Sequence, residues 1–150
     1  MVTAEHSILI NRPVEDVFAF VADQANEPKW HTDVLEAHPA KSLEKGATVT
    51  WVVQFMGKSS YVNEVRAFEP PHRIQIAALN GPLRPTLTQT FEDVNGATLY
   101  RRHVEIPPQG LFRLLGPIME LTGAAGRRNR RFAENLKRLL EAGRPPKQPT

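Results

Sequence analysis

The chain contains no cysteine, which excludes disulfides, thiolate nucleophiles and cysteine-bound zinc. It also lacks any run of about 20 uninterrupted apolar residues, so no transmembrane helix is expected. The opening "MVTAEHSILINRP" has neither the basic start nor the apolar stretch of a secretory signal, and a soluble, cytoplasmic protein is expected. Aromatic residues are scarce, at 7%, and none interleaves with the basic run "GRRNRR" ending at Arg131. The net charge of +3 is concentrated in that run and in the tail. Without stacking aromatics or a groove-reading motif, this charge does not predict nucleic-acid binding. What is present is 150 residues with no internal repeat, enough for one domain that buries about two thirds of its unfolded surface. We expect the domain to span 1–142, with a disordered tail over 143–150 rich in proline and polar residues.

Periodicity divides the chain into strands and helices. "TAEHSILI" alternates, with Ala4, His6, Ile8 and Ile10 on one side. "NRPVEDVFAFVAD" then turns helical, with Pro13 at the start, Glu15 and Asp16 in the first turn, and Val14, Val17, Phe18 and Val21 on one stripe. Pro28 restarts a second short helix in which Trp30 anchors in the core. From Val34 to Ile106 the text is strand-like. Val49, Trp51, Val53 and Phe55 share a face, and Met56-Gly57-Lys58 makes a turn. Tyr61, Asn63, Val65 and Ala67 point inward, because Glu64 and Arg66 occupy the other side. Pro70-Pro71 ends that strand, and Ile74, Ile76 and Ala78 share a face of the next.

After Pro107-Pro108 the period is helical to about Glu141. Leu114, Ile118, Leu121, Ala125, Asn129, Phe132, Leu136 and Leu139 form the buried stripe of one long helix, with a break at Gly116-Pro117. Gly123 and Gly126 fit that stripe if the backbone there approaches the sheet closely or a cavity needs room.

The hairpin "TFEDVNGATLYRRHVEI" raises the first functional question. A two-residue Asn95-Gly96 turn pairs Val94 with Ala97, Phe91 with Tyr100, Gln89 with Arg102 and Leu87 with Val104. A slip of one residue would mix polar and apolar faces, so Arg102 and Gln89 look inward together. An arginine there has three readings. It snorkels to a rim, it pairs internally with Glu120 or Glu105, or it meets an anionic or carbonyl group of a ligand.

The order of elements, carried by "INRPVEDVFAFVAD" with "PKW", by "FEPPHRIQI", by "NGATLYRRHVEI" and by "NLKRLLE", resembles the polyketide cyclase/dehydrase and lipid-transfer superfamily. This is the START-like, SRPBCC or helix-grip fold shared with the birch pollen allergen. The resemblance covers nearly the whole chain. It implies an α+β domain in which a curved antiparallel sheet wraps a long C-terminal helix, two short helices follow the first strand, and the cavity between holds an apolar ligand. Members include carriers, receptors, cyclases and hydrolases, and no catalytic motif transfers residue by residue.

Within that architecture the expected function is binding, and in some settings carriage, of a lipid, isoprenoid or polyketide. Trp51, Val53, Phe55, Tyr61, Ile76 and Phe91 are expected as walls, with Tyr100 and Val104 from the last strand and Ile118 and Leu121 from the helix. Arg102, Gln89 and Asn63 would fix a polar end, with Asn129 nearby. The alternative is a cyclase or dehydratase in which Tyr61, Tyr100 and Arg102 polarise a carbonyl. No metal and no cofactor is expected. The five histidines do not converge: His103 points outward, His72 and His38 sit by prolines, His6 is on the first strand, and His31 reaches the cavity mouth. No acid-base partner for any of them is evident. Arg127, Arg128, Arg130 and Arg131 span half the helix circumference. They read as a solvated face with Glu134 four residues after Arg130, or as a docking surface for a partner or an anionic membrane. A monomer or homodimer is expected.

Overall fold

The computed structural model describes residues 2–39, 43–54, 57–81, 83–108 and 123–142. Expectations on Phe55, Met56, Leu114, Gly116-Pro117, Ile118, Glu120, Leu121 and the tail lie outside the described residues.

Seven antiparallel strands form one sheet in the order β1-β7-β6-β5-β4-β3-β2. They are β1 (Val2–Ile10), β2 (Val34–His38), β3 (Thr48–Gln54), β4 (Lys58–Glu69), β5 (Arg73–Ala78), β6 (Thr86–Val94) and β7 (Ala97–Ile106). The long helix α3 (Ala124–Ala142) packs chiefly on β1, while α1 (Val14–Ala22), a 3-10 turn (Gln24–Asn26) and α2 (Glu27–Trp30) connect β1 to β2. This is the expected α+β fold, a curled half-barrel sheet around a C-terminal helix. Bulges between Val34 and Glu36 and between Val65 and Ala67 increase the local twist that curls the sheet.

The hairpin register holds in every pair named above, including Gln89 opposite Arg102 and Val94 opposite Ala97. Asn95 (φ 53°) and Gly96 (φ 87°) both take positive φ, as a two-residue turn matched to strand twist demands. In α1 the stripe of Val14, Val17, Phe18 and Val21 is buried, and Phe18 meets Phe91 edge-on at 5.1 Å and Phe68 at 5.4 Å. The helix thus caps one end of the sheet. The main core runs from that cap through Trp30, Ile74, Tyr100 and Leu136, and Val2, Leu83 and Ile106 form a second, smaller cluster.

Two expectations about the long helix are corrected. Leu139 is 38% exposed, and the buried face is made by Phe132, Ala133, Leu136 and Leu140. Successive steps of four from Phe132 carry the stripe to Leu140, and the step of three to Leu139 turns that side chain outward. Gly126 does not mark a close approach, because a Cβ there would meet nothing within 4 Å, and Gly123 is an exposed turn residue at φ +69° before the helix. The glycine that admits a neighbour is Gly81, at φ +94°, where an added Cβ would collide with the Tyr61 ring.

Candidate functional site

The space between sheet and α3 holds a cavity of about 170 Å³. Its walls are mainly apolar, with Trp51, Val53, Tyr61, Ala78, Val104 and Ile106 on the sheet side and Ala125 and Phe132 on the helix. His31, Asp33, Asn63, Arg102, Arg128 and Asn129 supply the polar atoms.

Arg102 is 2% exposed, which removes the rim-snorkelling reading. Glu105, one proposed partner, lies on the other face of β7 and pairs with His103 at 3.1 Å. Among the described residues no carboxylate pairs with Arg102, and its Nε and Nη1 have no hydrogen-bond partner. The guanidinium carbon lies 5.3 Å from the Trp30 ring centre and 5.5 Å from that of Phe132, contacts that offset part of its desolvation. Asn129 Nδ2 donates to the Arg102 carbonyl at 2.9 Å and ties the strand to α3.

The remaining nitrogen of the guanidinium, Nη2, turns to His31, whose Nε2 lies 3.4 Å away. On the other side of the ring, His31 Nδ1 is 2.8 Å from Glu27 Oε2, and Glu27 is 1% exposed. α2 builds this pair, since residues four apart share one helical face. The geometry also sets the tautomer. Nδ1–H donates to the carboxylate, leaving the Nε2 lone pair to accept from Arg102, whereas a protonated ring would set N–H against N–H. Burial holds the His31 pKa below its ordinary value, and the Arg102 and Arg128 charges act in the same direction, while Glu27 opposes them.

Tyr100 and Gln89 form an inner pair next to Arg102, in which the phenol donates to Gln89 Oε1. Burial raises the Tyr100 pKa to about 12, against the opposing influence of Arg102. Asn63 Nδ2 donates to the Val49 carbonyl at 3.2 Å. Trp51 Nε1 donates to Gln24 Oε1 at 2.9 Å, which fixes the indole on the cavity wall.

Of the sequence candidates, Trp51, Val53, Tyr61, Asn63, Arg102 and Val104 come together around the cavity. Ile76, Gln89, Phe91 and Tyr100 are buried but do not line it. Phe91 and Tyr100 are packed between the α1 cap and Trp30. Phe55, Ile118 and Leu121 lie outside the described residues. The Glu27–His31 pair went unrecognised in the sequence, although its spacing of four within "EPKWH" is legible there. Asp33 on the wall was also missed; it pairs with Arg128, and with Arg131 at 3.8 Å. No sequence signal links residues so far apart. Arg130 takes Glu134 at 3.1 Å. Among the described residues no cluster of His, Asp or Glu has metal-holding geometry, and no helix is long and apolar enough to cross a membrane.

Comparison with known proteins places this geometry. No curated protein matches by sequence. A protein from Thermus thermophilus is similar in structure, with TM-score 0.76 at 15% identity, covering 94% of this chain and 98% of that one. A START superfamily protein from Mycobacterium smegmatis has TM-score 0.73 at 12% identity, covering 95% of this chain and 99% of that one. A protein of the dynemicin biosynthetic locus has TM-score 0.68 at 18% identity over 97% of this chain, which spans only about half (49%) of that protein's length. These identities speak to the fold. The sequence over residues 1–141 matches the family described as polyketide cyclase / dehydrase and lipid transport. With the curled sheet, the gripped helix and the apolar cavity in place, the chain belongs to that family and has its hydrophobic-ligand-binding fold.

Proposed function

We propose that the protein binds a hydrophobic or amphipathic small molecule, of lipid, isoprenoid or polyketide type, in the cavity between sheet and helix, with Arg102 holding its polar end. The observation that carries this reading is the Arg102 guanidinium, buried on a mainly apolar wall with Nε and Nη1 unpartnered. A buried, incompletely paired charge is unfavourable for folding alone, so it is explained best by a group that arrives with the ligand. An apolar void of roughly 150 Å³ admits benzene. The present cavity is of that order, room for a ring or a short alkyl segment, and longer ligands need its walls to part.

The test is native mass spectrometry of protein purified gently from its own host, alongside the Arg102→Leu variant. The expected result is a retained or loadable small molecule on the wild type and its loss from the variant. Because Arg102 also balances the buried Glu27 across His31, the variant is expected to lose stability, by up to about 3 to 5 kcal/mol, and its ligand retention is read under conditions where circular dichroism shows it folded. Unchanged ligand retention by Arg102→Leu would remove the polar-anchor role.

A second reading, a cyclase or dehydratase, is favoured by one observation, the Glu27–His31 pair, whose imidazole lines the cavity. It gives an imidazole the positioned carboxylate that acid-base work requires. Tyr61 and Arg102 would then bind a carbonyl, whereas Tyr100 has its hydroxyl committed to Gln89. Turnover of a poly-β-ketone thioester, lost in His31→Gln, is the outcome that selects the enzyme. Docking through the basic helix is less well supported, because Arg128, Arg130 and Arg131 are engaged in ion pairs within the fold.

A further inference from the structure

The line Glu27, His31, Arg102 carries a constraint on what can bind. Across the imidazole the Glu27 carboxylate and the Arg102 guanidinium balance each other, with His31 neutral between them. A neutral ligand leaves that balance intact. An anionic ligand that takes over Arg102 leaves the buried Glu27 carboxylate without its balancing charge, which is unfavourable. The imidazole can supply that charge. With Nδ1–H bonded to Glu27, the neutral ring turns its Nε2 lone pair toward Arg102 Nη2. Once the guanidinium turns its donors toward a carboxylate, in the two-pronged geometry arginine favours, Nε2 is released. A proton from solvent can then form an Nε2–H bond, and this N–H faces the ligand's oxygens while Nδ1–H keeps its bond to Glu27.

We propose that the cavity is a proton-coupled carboxylate site: it takes an amphiphilic or aromatic carboxylic acid as its anion, held by Arg102, together with one proton held on His31 Nε2. The proposal rests on the ligand-binding reading above and names the chemistry of the polar end. The charged groups around His31 are accounted for. Glu27 faces it from α2, Arg102 from β7 and Arg128 from α3, the last paired with Asp33, which also takes the more exposed Arg131 at 3.8 Å. Trp51 from β3 and Phe132 from α3 contribute uncharged ring contacts at 5.4 and 4.6 Å. The lowered basicity of His31 in the ligand-free protein agrees with this arrangement.

The test is isothermal titration calorimetry of the full chain with n-alkanoates from hexanoate to decanoate and with 1-naphthoate, each beside the matching alcohol. Titrations in Tris and in phosphate at about pH 7 count protons through the buffer ionisation heat, and a pH series follows the affinity. Uptake of a substantial fraction of one proton per carboxylate is expected, and none per alcohol. The carboxylate affinity should rise by up to about tenfold per pH unit as pH falls between the free and bound pKa values of His31. His31→Gln should abolish the uptake, and the wild-type proton count stands as the test if that variant does not fold. Alcohols that bind beside carboxylates that do not, or carboxylates that bind without proton uptake, overturn this proposal and leave the cavity reading intact. If neither class binds, the cavity reading fails and this one with it. Preference for alkanoates over naphthoate indicates a fatty-acid source, and the reverse an aromatic polyketide acid.

Discussion

At the scale of single residues, His31 gives the protein a pH dependence whose sign follows from its surroundings. Its pKa in the folded, ligand-free chain is depressed, first by burial and then by Arg102. Above the unfolded value, about 6.5, the ring is neutral in both states and contributes no pH dependence. Below it the unfolded chain binds a proton that the folded chain refuses until the lower folded pKa is reached, so stability falls across that window. Urea unfolding at a series of pH values should show the wild type losing up to about 1.4 kcal/mol per pH unit more than His31→Gln there. Equal slopes for the two proteins would mean that the ring titrates normally. Arg102 was legible in the hairpin because alternation and the Asn95-Gly96 turn place it inward. What it meets was not legible, because Trp30, His31 and Phe132 reach it from other elements.

At the scale of elements, α3 decides how the sheet is closed. Leu136 is 0% exposed in the main core and Leu139 is 38% exposed, three residues further on. Leu136→Ala is expected to cost about 2 to 5 kcal/mol, the range for a buried leucine truncated to alanine, and Leu139→Ala at most about 0.5 kcal/mol. Chemical denaturation of the two variants checks this directly, and a comparable loss in both would mean that the helix is rotated. The C-terminal end of α3 is clamped to β1, with Glu141 Oε2 accepting from the Asn11 amide at 2.7 Å and from Lys137 at 2.7 Å. Periodicity found the helix and most of its buried face. It did not separate Leu139 from Leu140, since both lie near the edge of the stripe and only docking against β1 chooses between them.

At the scale of the whole molecule, α1 packs against Phe91 at one end of the sheet, and the cavity lies away from that cap, lined by Leu83 and Ile106 of the second cluster and by Ala125 and Phe132 of α3. Val104→Trp should occupy that space. It is expected to abolish thermal stabilisation by any bound alkanol or alkanoate while the protein itself stays folded, as followed by differential scanning fluorimetry. Persistent stabilisation in that variant would place binding elsewhere. The same end cap explains why Phe91 and Tyr100, inward by register, are core residues rather than cavity walls.

Alternation, the two turn signals and the helical period were enough, by themselves, to specify the strands, the hairpin register, the inward Arg102 and the order of elements that carries the family resemblance. These are local properties, set by backbone geometry within a few residues. Which inward residues face a void and which are packed, and that a histidine lies between Glu27 and Arg102, were decided only by the tertiary structure. Sheet curvature and helix docking bring together residues far apart in the chain, and no pattern of period two or 3.6 encodes that distance.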